Sequence, residues 1–324
     1  MIITKIKTAH ALGLINLARV FNYRLGVKTG LNPIKRVQSE IVTGDFFKMP
    51  DTQVSSDLSV NSQWHEQQYY FGWLIKGSGN IPNWHQSVLT GASVQEPMRS
   101  WWEIPDFDAE LGDVKGIWEA SRFDWVLSYA QLAAKGDEHA LVKLNLWLSD
   151  WCSMNPPYLG VNWKCGQESS IRLMHLAMAS LILKQHEDTS PALLSLIKAH
   201  LKRISPTISY AVAQDNNHGT SEAAALFIGG SWLLALGDAE GKAFYKIGLN
   251  WLENRGKKLI EEDGSFSQYS TTYHRVMLDT YSMVEVWRSK LGLPKFSSHL
   301  YGKLSAATNW LYQFTQTITG DTAN

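Results

Sequence analysis

The sequence predicts an all-α protein, an incomplete (α/α) toroid of antiparallel helical hairpins preceded by a partly irregular N-terminal segment. From about residue 114 onward, apolar side chains recur with helical periodicity between short Gly, Pro or Asp turns. Some of these helices are apolar on all sides, and others on one side only. Alternating buried and half-buried helices suit an inner and an outer ring, whereas a four-helix bundle would not need so many fully apolar helices.

Two pairs of segments illustrate this alternation. "IRLMHLAMASLIL" (171–183) and "AAALFIGGSWLLAL" (223–236) are apolar nearly all round, so both should be buried on every side. "PALLSLIKAHLKRI" (191–204) and "KAFYKIGLNWLENRGKKL" (242–259) each have one apolar stripe and one polar face. In full, helices are predicted near 114–121, 124–135, 138–153, 167–185, 191–203, 206–214, 220–236, 239–260, 270–290 and 297–317.

The chain is predicted to fall into two parts, an N-terminal helix with an irregular segment (1–113) and the toroid (114–324). Residues 30–112 are rich in turn-forming residues, with "KGSGNIPNW" as the clearest cluster. Near the N-terminus, two lysines precede an apolar stretch that polar residues interrupt, which predicts an amphipathic helix rather than a secretory signal. We therefore expect a cytoplasmic protein, with the periplasm as the alternative.

Composition excludes some classes of protein. The 324 residues are 44% hydrophobic and 19% charged, which is typical of a folded domain. Thirty basic and thirty acidic side chains cancel, which argues against nucleic-acid binding, because that requires a basic face. The sequence contains no run of about 18 apolar residues, so no membrane-spanning helix is predicted. The 14 Trp residues could stack on sugar rings, but they more often fill a core.

Cys152 and Cys165 are the only cysteines, too few for a disulfide framework or a structural zinc site. One bridge across the intervening "NPPYLG" turn is conceivable, but two buried free thiols are favoured.

The stretch "DNNHGTSEAAALF" (215–227) places an acid, two amides and an imidazole at the start of an apolar helix. One interpretation is helix capping by Asn216 or Asn217. The other is an anion site, because a helix N-terminus has spare donors and a positive dipole end. Asn217 would then donate a hydrogen bond, with His218 beside it as a titratable base. A metal site using His218 is less favoured, since no second His pair has ligand spacing.

Two other helix starts carry polar side chains. In "SQYSTTYH", a Ser or Thr caps a helix whose first turn contains Tyr273 and His274. Tyr273 either packs against its neighbours or exchanges a proton with a ligand. Proton exchange requires neighbouring groups that lower the pKa of the phenol, because the ordinary pKa of tyrosine is about 10. In "CGQESSIR", Gln167 and Glu168 begin a helix that contains Arg172. Arg172 either pairs with Glu168 one turn away, or has another buried partner, or faces a cleft.

Other catalytic signals are weak. The sequence has no nucleophile-elbow, zinc-protease, P-loop or dinucleotide-binding motif. Asp106, Asp108, Glu110 and Asp113 could include a carboxylate pair for glycoside hydrolysis, although such a run is more typical of a solvated loop.

Four motifs in order resemble the heparinase II/III-like family of polysaccharide lyases. They are "IWEASRFDW" (117–125), "GQESSIR" (166–172), "NNHGTSEA" (216–223) and "DGSFSQYSTTYH" (263–274). The resemblance extends through most of the chain, including "IPNWH" (81–85). It implies an incomplete α/α toroid and lysis of uronic-acid polysaccharides by β-elimination.

By this resemblance, Asn217 neutralises the substrate carboxylate, His218 is a base or a second neutraliser, and Tyr273 is either the acid alone or both the acid and the base. The residues expected to support these groups or to bind substrate are Gln167, Glu168, Arg172, Trp118 and His274. The expected partner is an anionic polysaccharide or oligosaccharide, such as a bacterial capsule or O-antigen chain. No cofactor or metal is expected in this chain.

The resemblance also implies a missing part. Full-length relatives continue into a C-terminal β-sandwich domain that supplies another active-site His and often a structural metal. No strand-rich region follows residue 260, so we expect either a fragment of a longer protein or a short member that lacks half of the cleft. A fragment is favoured, because "TGD" near residue 320 resembles the start of the family's inter-domain connection, and an isolated toroid is then expected to be inactive. The alternatives are a non-catalytic glycan-binding or assembly protein on the same scaffold, and an inverting glycoside hydrolase using acids such as Asp113 or Glu168.

Overall fold

The structure is a computed structural model that describes residues 2–52, 60, 64, 66–77, 80–105, 107–109 and 111–322, with side chains from residue 13 onward. The chain groups into two compact units. The first comprises Met1–Arg36, Ile204–Leu234 and Asp238–Asn324, and the second comprises Val37–Arg203 and Ala235–Gly237. The predicted division at residue 113 rests on composition and stays a prediction.

Helices dominate the described residues, and the all-α fold class is confirmed. The only strands there form two short antiparallel hairpins, in which Tyr69 pairs with Ile75 and Phe107 pairs with Asp113. In chain order the elements are α1 (Ile2–Thr29), β1 (Gln68–Tyr70), β2 (Leu74–Lys76), β3 (Phe107–Asp108), β4 (Gly112–Asp113), α2 (Lys115–Trp118), α3 (Asp124–Ala134), α4 (Glu138–Met154), α5 (Gly166–Ile182), α6 (Pro191–Ile204), α7 (Ile208–Ala213), α8 (Asn217–Ala235), α9 (Gly241–Leu259), α10 (Thr271–Lys290) and α11 (Ser298–Gln313).

In the second unit, α3 packs against both α4 and α5 around a cluster of tryptophans. Trp125 and Trp147 meet edge to face with ring centroids 5.3 Å apart, and Trp84 packs on both. The Trp84 indole donates to an Asp150 carboxylate oxygen at 2.6 Å. These rings are fully buried, so they form the core of this unit and are not sugar platforms.

In the first unit, α8 is buried along nearly its whole length, as its all-round apolar sequence predicts. Helix α9 approaches it closely at two glycines. A β-carbon on Gly248 would lie 2.2 Å from the Phe227 nitrogen, and one on Gly230 would lie 2.3 Å from the Tyr245 nitrogen. Only glycine permits this contact, because any side chain would separate the two backbones.

The remaining helices of the first unit pack around this pair. Helix α11 contacts both α9 and α10, and α1 lies along α7. The rings of Tyr23 on α1 and Tyr210 on α7 stack with centroids 4.1 Å apart. Within the part of the chain that the structure describes, no helix is long and apolar enough to cross a bilayer.

We expect Gly248→Ala to lower the free energy of unfolding by about 2 kcal/mol, because the added methyl group forces α8 and α9 apart. Gly302→Ala is the matched control, since Gly302 is also helical and a β-carbon added there would meet no atom within 4 Å. The control should be neutral or slightly stabilising. Urea unfolding of both variants measures the difference, and equal stability would contradict the close approach of α8 and α9.

Candidate functional site

The two neighbouring asparagines at the start of helix α8 have different hydrogen-bond partners. The Asn216 side-chain oxygen accepts the His218 backbone N–H at 3.0 Å, which is the capping role predicted for one of the two. The Asn217 backbone N–H donates instead to the Gln268 side-chain oxygen at 2.9 Å. Among the described residues, the Asn217 side-chain amide has no hydrogen-bond partner, although Asn217 is only 3% exposed.

Asp215 holds the start of α8 in place. One carboxylate oxygen accepts from Arg255 at 2.7 Å, and the other accepts from Lys258 at 2.6 Å and from Asn16 at 2.7 Å. Asp215 itself has a left-handed backbone, with φ of 50°. One carboxylate therefore ties α1 and α9 to the turn that precedes Asn217.

The segment between α9 and α10 is fastened to the same turn. It folds back on itself through a bridge between Ile260 and Phe266, and the Ser267 hydroxyl donates to the Asp215 carbonyl. Gln268 then makes the bond to the Asn217 N–H. The segment that leads into α10 is thus fixed to the first residue of α8.

Tyr273 and His274 leave the start of α10 in different directions. Ser270 caps this helix by accepting the Tyr273 N–H, as predicted. The Tyr273 side chain is 42% exposed, so its phenol can reach a ligand. His274 is buried, donates its Nε2–H to the Ala307 carbonyl at 2.9 Å and stacks on Trp310, and burial lowers its pKa.

These contacts make His274 a packing residue in this structure. Only 1% of its surface is exposed, so the side chain has almost no surface for direct contact with a ligand. Its predicted role in binding substrate stays a prediction.

Glu168 does not pair with Arg172. Its carboxylate accepts two hydrogen bonds from Arg122, at 2.9 and 3.0 Å, and Arg122 also bonds Glu119 at 2.6 Å. Burial raises the pKa of Glu119. Burial would lower the pKa of Arg122, but the negative charges of Glu168 and Glu119 outweigh it, so the pKa of Arg122 is raised. Of the alternatives left open for Arg172, the pair with Glu168 is therefore not formed, because Arg122, 46 residues away, makes a two-bond contact with that carboxylate.

Arg172 is enclosed by the core of the second unit. It donates to the His200 ring at 2.9 Å and to the Asn162 carbonyl at 2.7 Å. Its guanidinium carbon lies 4.9 Å from the centre of the Trp151 ring and 5.4 Å from that of Trp163. These ring faces stabilise a buried cation that no carboxylate bonds directly. Its surface is 0% exposed, and its predicted role in binding substrate stays a prediction.

The two other predicted substrate-binding residues are also buried. Trp118 is 8% exposed and donates its indole N–H to the Val161 carbonyl at 2.8 Å. Gln167 is 8% exposed in the first turn of α5. A cavity of about 380 Å³ lies near Trp118 without being lined by it, and its lining includes Val94, Ile104, Leu111, Val114, Glu96 and Arg99.

The cysteines and the possible metal ligands are as follows. Cys152 and Cys165 are free thiols, so the prediction that no bridge joins them is confirmed, although both residues are half-buried and not fully buried as expected. Burial raises the pKa of the Cys152 thiol to about 12. Across the described ranges, no three His, Cys, Asp or Glu side chains come together to hold a metal ion. Asp106 and Glu110 lie outside the described residues, and Asp113 is an exposed partner of Lys115.

Sequence reasoning misses three features that organise this region. The sequence shows the acid at Asp215 before the two asparagines, but it does not identify the three groups that bond this carboxylate. It does not single out Arg122 or Gln268 at all. Arg122 lies in "EASR", within one of the motifs that carry the resemblance, and this is the one available signal.

Comparisons with known proteins give a likeness of fold. No family model and no curated protein matches the chain. Among solved structures, the chain is similar to the heparan sulfate lyase HepC from Pedobacter heparinus, with a TM-score of 0.51 and 17% sequence identity. The match covers 87% of this chain and 42% of that lyase, so this chain spans less than half of the lyase's length. The likeness supports a distant structural relationship and an all-α, toroid-like fold class.

We expect Asp215→Asn to lower the free energy of unfolding by about 2 kcal/mol, because it leaves the buried Arg255 guanidinium without its carboxylate. Asparagine keeps the shape and tolerates the left-handed backbone, so the change isolates the charge. Asp188→Asn is the control, since its pair with Lys48 is exposed and should contribute no measurable stability. Equal denaturation midpoints for the two variants would refute the proposed importance of Asp215.

Stability should also fall in acid because of His200. Burial first, and then the Arg172 charge, lower the pKa of His200 well below its ordinary value of 6.5. The unfolded chain therefore binds more protons than the folded chain below about pH 6.5, and stability is lost as the pH falls through this range, by up to about 1.4 kcal/mol per pH unit for one such group.

Urea unfolding between about pH 7 and 5 measures this dependence. His200→Gln should make it shallower, and the exposed His139→Gln should leave it unchanged. An unaltered slope in His200→Gln would show that other groups cause the loss.

Proposed function

We propose that the chain carries part of the site of a polysaccharide lyase that cleaves uronic-acid-containing polysaccharides by β-elimination. The observation that carries this proposal is the Asn217 side-chain amide, which has no partner among the described residues, at the N-terminus of a buried helix. An amide held in this way is ready to donate to an anionic ligand. The lyase in the structural match and the four sequence motifs support the same assignment.

The chemistry of elimination explains why such a donor is needed. The proton to be removed lies on C5, next to the uronate carboxylate, and a negative carboxylate resists further charge. Hydrogen bonds that neutralise the carboxylate lower this barrier and stabilise the enediolate that develops. In the proposal, Asn217 donates one such bond, and the positive end of the α8 dipole adds to its effect.

The proton transfers are assigned to His218 and Tyr273. A base takes the C5 proton, the C4–O4 bond breaks as the C4–C5 double bond forms, and an acid protonates the departing O4. Both residues stand at helix starts in the first unit, and Gln268 joins these two starts. The 42% exposure of Tyr273 is what a phenol needs to reach a sugar oxygen.

The buried residues have indirect roles in this proposal. Arg122 holds Glu168, and Arg172 holds His200 and the Asn162 carbonyl. We propose that Glu168, Arg172, Trp118 and His274, whose side chains bond within the protein, position the helices and do not touch substrate. Gln167 keeps its proposed role in binding substrate, because its side-chain amide, like that of Asn217, has no hydrogen-bond partner among the described residues and lies in the first turn of a helix. Capsule or O-antigen chains that contain uronate belong to the proposed substrate class.

A glycoside hydrolase is disfavoured by two contacts. Arg122 donates a hydrogen bond to each of the two Glu168 carboxylate oxygens, so neither oxygen is available to a leaving group. Asp113 lies on an exposed turn beside Lys115. The second alternative is a glycan-binding protein without catalytic activity. Such a protein would bind a uronate through the same Asn217 amide but would not cleave the polymer, so binding and cleavage must be measured separately.

We expect Asn217→Asp to abolish lysis, because a second carboxylate in place of the amide repels the uronate. Asn216→Asp is its control, since aspartate caps a helix as well as asparagine. Tyr273→Phe should reduce turnover at least about a hundredfold, whereas Tyr269→Phe, 86% exposed, should not. The full-length protein is incubated with a panel of uronate polymers, and the ultraviolet absorbance of the unsaturated product is followed.

Two outcomes would overturn parts of the proposal. If Asn217→Asp and Tyr273→Phe both retain activity, the residue assignment is wrong. If the polymers bind to the unaltered protein and no unsaturated product forms, the protein is the non-catalytic binder.

A further inference from the structure

The first 39 residues have an unusual distribution of charge. They contain seven Lys or Arg residues and no Asp or Glu, and the first acid is Glu40. The whole chain has equal numbers of basic and acidic residues, so the rest of it is acidic on balance. The basic excess coincides with α1 and the turn that follows it.

Helix α1 has two different faces beyond its break at Gly13. One face packs within the first unit, where Asn16 bonds Asp215 and Tyr23 stacks on Tyr210. The opposite face presents apolar side chains to solvent. Leu14 is 85% exposed and Phe21 is 63% exposed. With Ala18 and Leu25, they follow the helical spacing of three to four residues that forms one stripe.

A groove of about 350 Å³ runs beside this stripe, and two cations border it. It is lined by Leu17, Val20, Phe21, Arg24, Leu25 and Lys28. Arg24 and Lys28 are exposed and have no hydrogen bond or ion pair with any described residue. Arg19, in contrast, bonds Asn16 and lies over the Trp251 ring, so it belongs to the packed face.

We propose that α1 docks the protein peripherally on an anionic phospholipid bilayer. A helix with an apolar stripe and flanking cations lies in the plane of a membrane interface, with apolar side chains among the acyl chains and cations at the phosphates. The stripe from Leu14 to Lys28 is roughly 20 Å long, enough for such contact. The absence of acid in residues 1–39 removes the repulsion that an anionic surface would otherwise exert.

Membrane docking by α1 does not depend on the proposed lyase activity. It uses a surface of the first unit that Asn217, His218 and Tyr273 do not form, and it assigns that surface a lipid partner.

The test measures co-sedimentation of the full chain with vesicles. Vesicles of equal parts phosphatidylcholine and phosphatidylglycerol should bind the protein, and phosphatidylcholine vesicles should not. Raising the salt to about 1 M should release it, because charge screening then acts over about 3 Å.

Two variants test the two parts of the surface. R24E/K28E should weaken binding at least about tenfold, since each basic residue near an anionic surface contributes to affinity. K242E/K246E is the control, with the same change of charge and the same spacing on exposed positions of α9. F21S/L25S should weaken binding comparably by removing the apolar contact, with an unchanged melting temperature in every variant.

Several results would overturn the proposal. They are absence of binding to the anionic vesicles, equal binding to both kinds of vesicle, and R24E/K28E binding as well as K242E/K246E. A dimer of the unaltered chain that dissociates in F21S/L25S would identify a second copy as the occupant of the stripe instead.

Discussion

The carboxylate of Asp215 is the interaction on which the candidate site depends. It accepts from Arg255, Lys258 and Asn16, which come from two helices far apart in sequence, and it does so in the turn just before α8. Because Arg255 is itself buried, its charge requires this partner. The turn is therefore rigidly placed, and the first residues of α8 leave it in a fixed orientation.

With the start of α8 fixed in this way, the Asn217 side chain has no part in capping the helix. Asn216 caps the helix, and Gln268 accepts the next N–H, so the Asn217 side chain is not needed for either purpose. The close packing of α8 and α9 at Gly230 and Gly248 keeps the rest of α8 from adjusting. A donor without an internal partner on a rigid helix start is a preorganised group, and preorganisation is what stabilisation of a developing charge requires.

The sequence predicted the helices well and the side-chain partners poorly. Apolar periodicity and Gly or Pro turns placed most helix ends within a few residues, because these signals are local. The pairing of Glu168 with Arg122, and of Arg172 with His200, depends on how separate helices pack, which local patterns do not encode. Adjacent Tyr273 and His274 point to solvent and to the core respectively, a difference that only the neighbouring α11 decides.

The proposed elimination chemistry is tested most directly by cleavage of a uronate polymer by the full-length protein in water enriched in oxygen-18. Elimination adds no water across the broken bond, so we expect unsaturated products that carry no heavy oxygen introduced by the cleavage. Mass spectrometry of the fragments measures this. Saturated fragments with one heavy oxygen at each new reducing end would show hydrolysis and would contradict the account.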